Sequence, residues 1–127
     1  MPSGSVICIV DDDESVRESL VGLLGSLGYE TESFVSAEEF LTSSERSSIG
    51  CVLLDATMPG MSGTELQQHL LNEGRRIPIV FITARTEEEL CARLMEYGTV
   101  ACLTKPFTEE DLLVAVTAAI ASVAAES

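Results

Sequence analysis

The chain has 127 residues, with 7 basic and 21 acidic side chains and a formal charge of −14. Hydrophobic residues make up 46%, which fits one folded domain, because disordered chains combine high net charge with low hydrophobicity. The acidity excludes binding nucleic acid through its phosphates or docking on anionic lipid, which need a basic face. Metal cations and basic protein surfaces are the natural partners.

The start, Met1-Pro2-Ser3-Gly4-Ser5, has no basic segment before its apolar run and does not read as a signal peptide. Val6-Ile7-Cys8-Ile9-Val10 is a continuous apolar, β-branched run. Val16, Leu20, Leu23, Leu24 and Leu27 then recur at helical spacing, and Gly28 is the expected stop. Tyr29 to Phe34 reads as a weaker strand, followed by a helix opening at Ser36. Cys51-Val52-Leu53-Leu54 and Ile79-Val80-Phe81-Ile82 are two more apolar runs, with a helix opening at Ser62 between them. A helix from Thr86 leads to a short fifth strand at Val100 to Leu103. Leu112, Leu113, Val116, Ile120 and Val123 mark the last helix. Its apolar stretch, Leu112 to Ala125, is too short to span a bilayer, so the protein is expected to be soluble.

Runs apolar on both faces suit a parallel sheet covered by helices on each side. Strand and helix alternate five times, which predicts a doubly wound α/β sandwich with right-handed crossovers. Four helix starts pair Ser or Thr with an acid three residues later: Ser36 with Glu39, Ser62 with Glu65, Thr86 with Glu89 and Thr108 with Asp111. Part of the negative charge therefore serves helix N-termini.

The four cysteines, Cys8, Cys51, Cys91 and Cys102, form no C-x-x-C pair, and the single His69 is near none of them in sequence. That argues against zinc. Three lie in apolar segments and read as small buried hydrophobes, which points to a reducing, cytoplasmic setting. His69 lies mid-helix among polar residues and has no expected catalytic role.

In doubly wound sheets ligands bind beyond the carboxyl ends of the strands. Asp11-Asp12-Asp13-Glu14 follows strand one, Asp55-Ala56-Thr57-Met58-Pro59-Gly60 follows strand three, Thr83-Ala84-Arg85 strand four, and Lys105-Pro106 strand five. Crowded carboxylates repel and favour a cation or a proton. A few hard oxygen ligands with room for water suit Mg²⁺, and a carboxylate can be the nucleophile that forms an acyl phosphate. A lysine can balance the added charge, and a threonine hydroxyl can reach a phosphoryl oxygen. Taken singly, Asp13 and Glu14 are more simply solvated acids, Thr83 a turn cap and Lys105 a surface residue. Their joint placement carries the signal.

With these motifs the sequence resembles the receiver domain of two-component response regulators, from about Val6 to the last helix. The stretches Asp55 to Gly63 and Ser36-Ala37-Glu38-Glu39-Phe40-Leu41 are most similar to the FixJ-like subgroup, regulators of the nitrogen-fixation type. The resemblance implies one receiver domain over residues 1–127, with residues 1–5 unstructured, and a five-stranded sheet in order 2-1-3-4-5, the order that doubly wound folds of this kind show. Asp55 would be the phosphoacceptor, supplied by a sensor histidine kinase. Asp12 and Asp55, with the backbone carbonyl of Thr57, would hold Mg²⁺, and Asp11 would act through a metal-bound water. Thr83 and Lys105 would contact the phosphoryl group, and Lys105-Pro106 would be a cis peptide. The partners implied are the kinase and a downstream protein or attached output domain, met by the last two helices and strand five. A phosphorylation-dependent homodimer is a family-level expectation.

One position departs from the family pattern: Cys102 stands three residues before Lys105, where an aromatic is usual. The expectation is that any switch relies instead on the Thr83 loop and a Thr86–Tyr97 helix. Arg85, two positions after Thr83, is either a solvated loop residue or a group that tunes water access. Two other functions compete with the switch. Asp11-Asp12-Asp13 can be read as the D-x-D of a haloacid-dehalogenase-like phosphohydrolase with Asp11 as nucleophile, although Asp55 would then lack a role. The other is a receiver-like interaction domain independent of phosphate. In the leading reading the domain is no metabolic enzyme, its chemistry being self-phosphorylation and self-dephosphorylation.

Overall fold

A computed structural model describes residues 6–43, 49–56, 60–74, 77–84, 101–105 and 107–126. The expectations about residues 1–5, Thr57, Arg85, the Thr86–Tyr97 helix with its cap, Cys91, Val100 and Pro106 fall outside them.

The strands are β1 (Val6–Val10), β2 (Glu30–Phe34), β3 (Ile49–Asp55), β4 (Ile79–Ala84) and β5 (Ala101–Lys105). The helices are α1 (Glu14–Ser26), α2 (Ala37–Ser43), α3 (Gly63–Asn72) and a final helix, Glu109–Glu126. All pairings are parallel and the order is β2-β1-β3-β4-β5, as expected. All five residues of β1 are buried. Its side chains alternate between two cores: Val6, Cys8 and Val10 pack with Phe34, Phe40, Leu66 and Phe81, while Ile7 and Ile9 pack with Leu20, Leu24, Leu53 and Val116. An unbroken apolar run is therefore what a central strand between two helical layers requires. Phe34 and Phe40 meet edge to face at 5.4 Å and close the end of β2 over α2.

The helix starts follow the expected chemistry. Ser36 and Glu39 exchange bonds around the start of α2, with Glu39 N–H to Ser36 Oγ at 3.0 Å and Val35 N–H to Glu39 Oε1 at 3.2 Å. Ser62 and Glu65 form a capping box on α3, and Thr108 and Asp111 form the same pair of bonds at the final helix. Gly28 leaves α1 at a φ of +93°, a left-handed conformation that glycine adopts without penalty. The final helix departs from the expected apolar line. Leu113 is exposed while Ala115 and Ala119 are buried, because small residues let this helix lie close on the sheet.

Candidate functional site

Four strands end on one edge and bring the expected residues with them. Asp11 directly follows β1, Asp55 closes β3, Thr83 is the penultimate residue of β4 and Lys105 closes β5. Val10 pairs with Leu54, so Asp11 and Asp55 leave adjacent strands side by side. Asp55 pairs with Ile82, and Ala84 pairs with Lys105. The Ala56 N–H donates to the Ile82 carbonyl at 3.0 Å and extends the ladder one step past Asp55. Carboxylate oxygens of Asp11, Asp12 and Asp55 all lie within 4.8 Å of one another.

The three acids sit in different environments. Asp12 is exposed and Asp55 half-buried, whereas Asp11 is only 1% exposed. One Asp11 oxygen accepts the Asp13 N–H at 2.9 Å; the other is buried with no hydrogen bond among the described residues. Burial pushes the Asp11 carboxyl above its ordinary value, and repulsion from Asp12 and Asp13 adds to this. The Asp13 N–H bond and the Lys105 charge pull the other way. A buried carboxylate oxygen without a partner is costly, and a cation held with Asp12 and Asp55 would remove that cost. Thr83 is 1% exposed and Lys105 half-buried.

Three contributors were not anticipated from sequence. Asp13 is exposed, as a solvated acid should be, and it also caps α1, its carboxylate accepting from Ser15 N–H at 2.8 Å and Val16 N–H at 3.3 Å. Its position just before the helical repeat could have signalled this. Arg17 donates to the Asp11 backbone carbonyl at 2.7 Å and steadies the turn leaving β1; no local pattern marks that bond. Gly63 opens α3 directly against the end of β3. A Cβ there would lie 2.5 Å from the Asp55 carbonyl oxygen, 2.9 Å from Ala56 Cα and 3.0 Å from a Phe81 ring carbon. Gly63→Ala should therefore push α3 off β3 and cost about 2 kcal/mol or more, since backbone atoms cannot yield as side chains do. Urea titration checks it, and an unchanged midpoint would contradict this account of the packing.

Cys102 lies on β5 with its Sγ 3.8 Å from Thr83 Oγ1. It is disulfide-bonded, whereas Cys8 and Cys51 are buried and stand outside any disulfide. The reduced thiol expected at Cys102 is thus corrected. Burial pushes the Cys51 thiol up to about 12, consistent with an inert core cysteine.

Among known proteins, a family model described as the response regulator receiver domain matches residues 7–117. The response regulator protein TodT of Pseudomonas putida is 44% identical over 116 residues, covering 91% of this chain and 51% of that protein. The transcriptional regulatory protein FixJ of Bradyrhizobium diazoefficiens is 36% identical over 114 residues, covering 90% and 56%. The chain therefore spans about half the length of the curated relatives it matches. Among solved structures, the response regulator StyR superposes with a TM-score of 0.90 at 43% identity, covering 98% of this chain and 63% of that one. FixJ-N gives 0.85 at 32%, covering 91% and 93%.

Proposed function

Because the chain belongs to the response regulator receiver domain family, we propose that it is a phosphorylation-dependent switch of a two-component system, with Asp55 as phosphoacceptor. The observation that carries this is the cluster of Asp11, Asp12 and Asp55 within 4.8 Å at the ends of β1 and β3. An Asp55 carboxylate oxygen would attack the phosphorus of a phosphohistidine on a sensor kinase. The new O–P bond forms as the P–N bond breaks, and the histidine nitrogen keeps the electron pair. Attack by water on the phosphorus would later return the free carboxylate.

The donor set fits Mg²⁺: three carboxylates, one carrying a buried oxygen without a hydrogen bond among the described residues. Asp12 and Asp55 would hold the ion directly, with the Thr57 carbonyl as the third ligand that the family resemblance implies and Asp11 acting through water. When bound, the ion neutralises charge on the phosphoryl oxygens. Lys105, whose charge already acts on Asp11, would pair with the added phosphoryl charge. The buried Thr83 would turn its hydroxyl to a phosphoryl oxygen.

Asp11 is a poor nucleophile for the competing phosphohydrolase, since one of its oxygens is tied to the Asp13 amide and the side chain is buried. The face for a downstream protein, attached output domain or second copy would include β5 and the final helix. A groove lined by Cys102, Thr104, Phe107 and Val114 runs between β5 and the final helix, with Val114 64% exposed. Among the described residues no helix is long and apolar enough to cross a membrane; the cytoplasmic placement beside a kinase rests on the receiver family and not on the cysteines, since Cys102 is disulfide-bonded.

Incubation with a small acyl-phosphate donor and Mg²⁺ tests the proposal. The protein should gain one phosphoryl group by intact mass and lose it again in the presence of Mg²⁺. A wild-type protein that takes up no phosphoryl group from any donor would favour the phosphate-independent interaction domain.

A further inference from the structure

Glu38 makes a contact that neither the helix caps nor the acidic cluster explains. It lies in the first turn of α2, yet the start of that helix is already served by Ser36 and Glu39. Its carboxylate instead crosses to a segment 23 residues away and accepts the Met61 N–H at 3.3 Å. Gly60 makes room for it: a Cβ at that residue would stand 3.0 Å from the same Glu38 oxygen, and Gly60 holds a φ of +77°.

The contact lies on the segment that joins Asp55 to α3. That segment is closed at its base by the Gly63 N–H donating to the Ala56 carbonyl at 3.3 Å, and at its start by Ala56 N–H to Ile82. Ser62 N–H is taken by Glu65. Met61 N–H is taken by Glu38, the acceptor that α2 supplies. We infer that Glu38 is a positioning residue for the phosphorylation site: it ties Gly60–Met61 to α2 and thereby steadies the entry to α3, which the Gly63–Ala56 bond joins to the end of β3 beside Asp55. This rests on the reading of the acidic cluster as the Mg²⁺ and phosphoryl site. Glu38 itself touches neither. Its effect passes through the Met61 amide to the loop backbone, and a ligand pre-organised in this way binds its ion more tightly than one left to fluctuate.

Two variants separate the hydrogen bond from the charge. Glu38→Met keeps the length of the side chain and removes the acceptor; Glu38→Gln removes the charge and keeps a carbonyl acceptor. In Glu38→Met the metal-free Met61 amide should exchange its hydrogen faster, and Mg²⁺ affinity by calorimetry should fall by about tenfold. Glu38→Gln should restore both to near wild type. Because Glu38 is exposed, the metal-free melting temperature should hardly move in either variant. Unchanged Met61 exchange in Glu38→Met would overturn the inference whether or not the wild type binds Mg²⁺, and equal losses in Glu38→Gln would overturn the hydrogen-bond tie. A wild type that ignores Mg²⁺ while Met61 exchange still depends on Glu38 would instead overturn the reading of the site and the positioning role with it, leaving a structural tie.

Discussion

Asp55→Asn is expected to lower phosphoryl incorporation from an acyl-phosphate donor by on the order of a hundredfold or more, because the amide is isosteric but lacks the nucleophilic carboxylate. The fold should survive. Asp55 is half-buried at the end of β3, and the substitution removes one of three carboxylates that lie within 4.8 Å of each other. Thermal stability of the metal-free variant should equal or exceed that of wild type, since like charges at this distance oppose folding. Borohydride trapping followed by mass mapping checks the assignment in the wild type. Reduced label on Asp11 would move the nucleophile to β1 and revive the phosphohydrolase reading.

The second large effect concerns the metal. At a Mg²⁺ concentration a hundredfold above its dissociation constant, mass action stabilises the folded state by about 2.7 kcal/mol. For a domain of this size the melting temperature should rise by on the order of 10 °C. Asp11→Asn should act in both directions. It removes a buried carboxylate with an oxygen lacking a hydrogen bond among the described residues, so the metal-free protein should gain about 1 kcal/mol at neutral pH; it also removes an anion from the proposed metal site, so the Mg²⁺ increment should shrink. The pH dependence has a definite sign. The Asp11 carboxyl lies above its ordinary value in the fold, so its protonated form contributes stability at acid pH that is lost as pH rises through the raised folded value. In chelator, the stability advantage of Asp11→Asn over wild type should therefore narrow as pH falls from 7 towards the carboxylate range. Melting curves of both proteins across that range, with and without Mg²⁺, test all three statements, and a wild-type melting temperature indifferent to Mg²⁺ would contradict the metal assignment.

The placement of the candidate site residues on one edge was legible because each falls at the end of an apolar run. Once Val6–Val10, Cys51–Leu54 and Ile79–Ile82 are read as parallel strands, Asp11, Asp55 and Thr83 must share an edge. Periodicity was less informative in the final helix, where alanines replace the expected Leu113 in the core. A helix rich in small apolar residues offers several faces, and only the neighbouring sheet chooses between them. Capping boxes were legible because they are local. The bond from Glu38 to Met61 was not, since it joins residues 23 apart through an exposed side chain. Asp13 shows a third kind of difficulty, in which an acid beside a site performs an ordinary structural task.

The pairing of β1 with β3 is irregular at one end only. Val6 pairs with Ile49 but Ile7 with Cys51, so Gly50 is passed over; from Ile7–Cys51 to Val10–Leu54 the ladder then runs without a break. The slack lies at the end of the sheet remote from Asp11 and Asp55. This makes tolerance to changes in chain length directional. A residue inserted beside Gly50 enlarges an existing bulge and leaves the two aspartates level. The same insertion between Val52 and Leu53 turns Leu54 to the opposite face and carries Asp55 out of step with Asp11, because strand side chains alternate with a period of two. Length variation in this lineage should therefore accumulate before Cys51 and be absent between Cys51 and Asp55, and insertion scanning with phosphoryl uptake as the readout would reveal the same boundary.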